Sequence, residues 1–253
     1  MKKTIYISLI ILVFAGCKKN NENFIINGRV YTVPEFENYI GPIDFEEDVS
    51  ISIENTNFNT KTVNGEFLFN DVSEGKYNLL FAKSNYSDLK YFNYQSKIET
   101  KFLHHSEPSY FYLFEKSSTI VQQDLTYEID GEEIHFGAHI NPPSSIYADS
   151  IRYFFLFIND SKNVTYNNYL YSSSQASVGL FQYSEQSVDI DSLYSNIPDF
   201  DPQKTYYAVA YGASISRYNA KAKYLDKDKN IWIYMGLNDT PSNIVSFSID
   251  SKQ

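Results

Sequence analysis

Of 253 residues, one is cysteine, one tryptophan and four are histidine. A lone thiol closes no internal disulfide, so stability has to come from packing. Only 10 glycines and 8 prolines are present, which excludes collagen-like and linker-dominated architectures. Basic residues are outnumbered, 21 against 31 acidic, giving a formal charge of −10 and a pI near 4.9. That balance excludes a protein whose work is neutralising phosphates, and nucleic acid is not an expected partner. Long apolar runs are also missing: the longest, Ile5 to Phe14, is shorter than the roughly 20 residues a membrane helix needs.

What is abundant is aromatic. With 23 Tyr and 19 Phe, and 43% of all residues hydrophobic, the chain can bury a core, and its composition favours strands. At about 150 residues per domain the length allows one large or two small domains, and the pattern below favours two.

Lys2 and Lys3, the apolar run and the small pair Ala15-Gly16 follow the order of a secretory signal. Phe14-Ala15-Gly16-Cys17 resembles the bacterial lipobox, which implies cleavage after residue 16 and a lipid on Cys17, the mature N-terminus. Losing Lys2 and Lys3 and no acidic residue takes the formal charge from −10 to −12, so lipid rather than electrostatics would hold the protein at a membrane. Residues 17–23 read as a polar tether. No Asp follows Cys17, a departure from the inner-membrane retention signal of enteric lipoproteins, so an outer-membrane location in a Gram-negative cell is expected, with the leaflet open.

From Phe24 to Lys116 the residues alternate between apolar and polar, with turns between runs. Ile25 to Tyr31 reads as a strand with a kink at Gly28, and Val49, Ile51 and Ile53 point one way. Asn64-Gly65 is a hairpin turn ahead of Phe67 and Phe69, and Tyr77 to Ala82 and Ser109 to Phe114 are further strands. The order Gly28-x-Val30, Val49-x-Ile51-x-Ile53, Asn64-Gly65-x-Phe67-x-Phe69, Gly75-x-Tyr77-x-Leu79 and Asn85-Tyr86 resembles the carboxypeptidase regulatory-like, transthyretin-like β-sandwich. The resemblance implies a passive module and no peptidase. The acidic, aromatic segment from Pro34 to Asp48 reads as a solvated insertion or a contact surface.

Residues 117–253 form the second expected unit, beyond a polar boundary at Glu115 to Thr119. Ile134, Phe136, Ala138 and Ile140 alternate inward, Ile151 to Ile158 reads as a central strand, and Val178 to Tyr183 and Val188 to Leu193 as further strands. Tyr224 and Ile231 flank a turn at Asp226 to Asn230, and Ile244 to Ile249 ends the unit. Phe200-x-Pro202-x-x-x-Tyr206-Tyr207-x-Val209-x-Tyr211-Gly212 resembles the tyrosine corner of a fibronectin type III-like or immunoglobulin-like sandwich, which implies a structural role for Tyr206. The expected fold class is thus all-β, two tandem β-sandwiches after a lipoprotein signal peptide.

The search for chemistry turns up little. His104-x-x-Glu107 has metallocarboxypeptidase spacing but no large α/β domain around it. His135 and His139 have helical zinc spacing, yet on a strand about 3.3 Å per residue sets them roughly 13 Å apart. Asp226-x-Asp228-x-Asn230 opens like a calcium loop and lacks its later Gly and Glu. No triad, nucleophile elbow or phosphate loop is present, so no enzyme and no cofactor is expected. Asp149-Ser150-Ile151 and Asp191-Ser192-Leu193 resemble bacterial O-glycosylation acceptors, which makes Ser150 and Ser192 possible glycosylation sites. Tyr166, Tyr169 and Tyr171 are possible ligand contacts, as a platform for sugar rings or as half-buried structural residues. The functional expectation is a non-catalytic lipoprotein serving as a structural or protein-binding module of the envelope. The alternative is a glycan-binding lipoprotein of a polysaccharide uptake system.

Overall fold

The computed structural model describes residues 24–35, 47–98, 109–142, 152–177, 182–213 and 222–249. Cys17, Phe36 to Glu46, His104, Glu107, Ser150 and most of the expected strand from Val178 lie outside the described residues.

The chain is all-β, built from stacked, mainly antiparallel sheets. In the N-terminal half, β1 (Phe24–Val33) is central to one sheet. It pairs with β4 (Glu66–Val72) on one side, and on the other with β7 (Lys97–Ile98) and, in parallel, β8 (Tyr110–Phe114). The facing sheet has the order β3 (Asn59–Lys61), β2 (Ser50–Ile53), β5 (Lys76–Ala82), β6 (Leu89–Gln95). Val49, Ile51 and Ile53 are buried between the sheets with Phe67, Phe69, Phe81 and Phe111, as their alternation predicts. Asn64 and Gly65 both have positive φ, 50° and 72°, the conformation a tight type I′ connection requires. Gly28 does not kink its strand. A methyl group there would come within 2.6 Å of the Phe111 ring and 2.9 Å of Phe67, so the glycine makes room for aromatic packing. Two bulges reset the alternation: Asp71 (φ 57°) lets Val72 turn inward after Phe69, and Asn93 (φ 58°) does the same for Tyr94 after Tyr91.

In the C-terminal half, β10 (Thr126–Asp130), β11 (Glu133–Asn141) and β14 (Tyr183–Asp189) form one sheet, with β9 (Ile120–Val121) added to β11. It faces β13 (Tyr171–Ser177), β12 (Arg152–Asn159), β15 (Tyr206–Ala213) and β18 (Val245–Phe247), in that order. Ile134, Phe136, Ala138 and Ile140 meet Phe154, Leu156, Ile158, Tyr206 and Ala208 in the core. The Tyr206 hydroxyl accepts the Asp201 N–H at 3.0 Å, the corner bond expected of it.

The segment Val188 to Leu193 departs from expectation. Its strand ends at Asp189, whose carboxylate accepts the Asp191 N–H at 2.8 Å and caps a short helix, α1 (Ile190–Asn196). Leu193 and Ile197, four residues apart, are buried in the core from that helix and its C-cap. No helix among the described residues is long and apolar enough to cross a membrane.

Candidate functional site

Between β15 and β18 the chain leaves the second sandwich and forms a hairpin of β16 (Lys223–Asp226) and β17 (Ile231–Tyr234). The turn sits where Asp226 to Asn230 predict it. Asp226 Oδ1 accepts the N–H groups of Asp228 and Lys229 at 3.0 and 3.2 Å, and Asn230 takes φ 56°. The Asp228 carboxylate holds Lys90, so the acidic pattern serves the turn and a salt bridge. Among the described residues no cluster of three His, Cys, Asp or Glu could hold a metal ion.

The hairpin belongs to both halves. Ile231 and Tyr234 pack with Phe155, Phe157, Val209 and Tyr211 on the outer face of β12 and β15, which explains why β12 is almost wholly buried on both faces. Ala222 and Met235, by contrast, are part of the first sandwich's core, with Tyr224 packed against it. Burying an apolar side chain of Met235's size is worth about 1.5–3 kcal/mol. The Gly236 N–H donates to Ser87 Oγ at 2.8 Å, Asn238 Nδ2 to the Ser117 carbonyl at 2.6 Å, and Lys116 pairs with Asp239 at 2.7 Å. A cut at residue 116 therefore does not separate two independent cores.

Two concavities adjoin this junction and share Asp88 and Tyr224. The larger, about 830 Å³, lies over β2, β5 and β6, with Leu80 and Leu89 in its floor and Ser50, Ser52, Lys61 and Lys90 around it. The smaller, about 230 Å³, is a polar cleft between the first sandwich, the hairpin and the turn at Tyr166 and Asn167. Burial pushes the Tyr224 phenol up to about 12, with the nearby Asp226, Tyr166 and Asp88 adding to the shift and Lys90 opposing it. Burial raises Tyr166 as well, assisted by Asp239 and Asp88 against Lys116. Both phenols are neutral donors at physiological pH.

The three tyrosines expected as ligand contacts do not form one platform. Tyr169 is buried against Phe157, and its hydroxyl donates to the Trp232 carbonyl at 2.5 Å. Tyr171 packs on the core between the sheets of the second sandwich. Tyr166, stacked edge-on against Tyr211 at 5.5 Å, alone reaches the cleft. Ser192 is half-buried on α1, its carbonyl accepting from Asn196 Nδ2 at 2.7 Å. His135 bonds Ser187 of the neighbouring strand through Nδ1 at 2.8 Å and His139 approaches Asp124, in the turn before β10, at 2.5 Å, so each has its own partner. Asp88 and Tyr224 carry no signal in the sequence, since neither belongs to a motif and each meets Tyr166 only through the fold.

No protein-family model and no curated protein matches the chain. Among solved structures, similarity runs to a "putative carbohydrate binding protein" of Bacteroides uniformis, at 14% identity over 88% of this chain and 98% of that one, with a TM-score of 0.33. DUF3823 family proteins of Bacteroides ovatus (10% identity, 90% and 100% of the two chains, TM-score 0.33) and Parabacteroides merdae (13%, 90% and 99%, 0.32) are similar at the same level. Likeness of this degree assigns no ligand.

Proposed function

We propose that the chain is a non-catalytic binding module of the bacterial envelope, anchored to the outer membrane through lipid on Cys17, that holds its ligand in the groove at the domain junction. The sheet orders support the resemblances read from the sequence. The two four-stranded sheets and Asn-Gly turn of the first half favour the transthyretin-like reading, and the Tyr206 corner of the second favours the fibronectin type III-like one. One observation carries the reading: Asp88 from the first sandwich and Tyr224 from the hairpin line both concavities. The smaller cleft therefore exists only because the hairpin fixes the two halves together, and the larger, otherwise lined by the first sandwich, borders it at Tyr224, an arrangement that a bare spacer does not need. Concave sites of several hundred Å³ with a few convergent polar groups are where ligands bind.

The test uses the intact protein in detergent as bait for envelope extracts, comparing wild type with Tyr224→Ala. Material retained by wild type and lost by the variant, whether protein or polysaccharide, is the expected result. Equal retention by both, or none by either, overturns the reading. In parallel, Cys17→Ala is expected to abolish palmitate incorporation and release the chain from the membrane fraction.

A further inference from the structure

We infer that the cleft where Asp88, Tyr166 and Tyr224 converge is a subsite for a neutral sugar ring, an assignment that rests on the binding-module reading. Asp88, Tyr166 and Tyr224 line one cleft, and Asp88 lies near enough to both phenols to help hold them neutral. None of the three makes a side-chain hydrogen bond to another described residue. Tyr166 and Tyr224 are half-buried and Asp88 is exposed at the rim, and polar groups left in that state are met by water or by a ligand.

The other polar groups of the cleft are already committed. Lys116 is held by Asp239 at 2.7 Å, Lys229 donates to the Asn167 carbonyl at 3.2 Å, and Asp226 caps its turn. Asn167 Oδ1 accepts from Thr165 Oγ1 at 2.8 Å, leaving its amide N–H groups as donors. What the cleft offers is thus one strong acceptor, two phenols that both donate and accept, an amide donor and aromatic ring faces. A polyhydroxylated ring uses all of these. A cationic ligand meets Lys116 and Lys229, and an anionic one meets Asp88, Asp226 and Asp239. The volume of about 230 Å³ suits a single ring rather than a folded protein surface. The larger concavity continues past Tyr224 along Ser50, Ser52 and Lys61, so a longer chain would run from one to the other.

The experiment is calorimetric titration of the full chain in detergent micelles. The probes are neutral gluco-, manno-, xylo- and galacto-oligosaccharides, with spermidine and oligogalacturonate as the charged ligands. At least one neutral oligosaccharide is expected to bind. Asp88→Asn should then weaken it about 10-fold or more and Tyr224→Phe about 3- to 10-fold, the ranges for losing a charged and a neutral hydrogen bond. Tyr194→Phe, an exposed residue remote from the groove lining, should leave binding unchanged, and unfolding midpoints of all three variants should match wild type. Failure of every neutral sugar to bind wild type, preference for a charged probe, or unchanged binding in both groove variants overturns the assignment. If wild type retains an envelope protein that Tyr224→Ala loses, the sugar assignment falls and the binding module stands. If wild type retains neither protein nor polysaccharide, both fall.

Discussion

The Lys90 ammonium stands 2.7 Å from the Asp228 carboxylate and 2.8 Å from that of Glu54. Lys90 lies on β6, an edge strand of the first sandwich, Asp228 in the turn of the hairpin and Glu54 just after β2. One cation thus ties the hairpin to the sheet that floors the larger concavity.

Removing that cation has a pH signature. Hydrogen bonds from Lys90, then Asn78, hold Glu54 below its ordinary value of 4.5. A depressed folded value means that the stabilisation is complete above about pH 4.5 and is lost as pH falls through the lowered value. Lys90 itself is raised above 10.5 by Asp228 and Glu54 in spite of burial, so its share is complete below that pH and is lost as pH climbs through the raised value. Asp228 is 66% exposed, so screening keeps the pair modest. Lys90→Met is expected to cost about 1 kcal/mol at pH 7, with the gap to wild type narrowing as pH falls below 4.5. Urea titrations at several pH values measure it, and a constant gap would contradict the assignment.

A second tie crosses the linker. The Glu35 carboxylate accepts from Ser117 Oγ at 2.8 Å and from the Ser118 N–H at 2.7 Å, and lies 4.0 Å from the Arg152 guanidinium, which also donates to Thr119 Oγ1 at 2.8 Å. The Arg152 and Glu35 side chains are only 10% and 13% exposed. Breaking a largely buried pair leaves its partner uncompensated. Arg152→Ala should therefore cost about 2–4 kcal/mol, and Glu35→Gln, which keeps an acceptor for the serines, less. Guanidinium unfolding of the two variants checks the order.

Much of this architecture was legible in the chain. Alternation at Val49, Ile51 and Ile53 and at Ile134 to Ile140 gave the right faces because no bulge interrupts it there and these residues are all buried. The Asn64-Gly65 and Asp226 to Asn230 turns are fixed by local chemistry. The bulges at Asp71 and Asn93 were hidden because a shift of one residue leaves no compositional trace. Helix α1 was missed because seven residues bury too few side chains to show a period against the preceding strand. Glu35 looked solvated and Thr119 looked like linker because an acidic or polar residue in a loop betrays nothing of a distant arginine. The groove was invisible for the same reason: Asp88, Tyr166 and Tyr224 meet only after both sandwiches and the hairpin have docked.

The tyrosine corner offers a clean measurement. Tyr206 is 2% exposed, stacks on Phe200 with ring centres 4.8 Å apart, and spends its hydroxyl on the Asp201 N–H. Tyr206→Phe preserves the stack and orphans that donor, so a loss of about 1–2 kcal/mol is expected. A thermal melt unchanged from wild type would mean that water replaces the bond at no cost.

Met235 tests the hairpin's double allegiance. It follows β17 in the second half of the chain but is buried, at 4% exposure, in the core of the first sandwich. Truncating a buried methionine costs about 2–5 kcal/mol, depending on how well the site collapses. Were the halves independent, Met235→Ala would leave the melting of the first sandwich untouched. Because the side chain completes that core, the variant should destabilise strands β2 and β5, seen as faster amide exchange at Ile51 and Phe81, although the substitution lies more than a hundred residues along the chain. Exchange that quickens only in β16 and β17 would show that the hairpin frays without loosening the sheet beneath it, and the two sandwiches would then have to be treated as separate bodies.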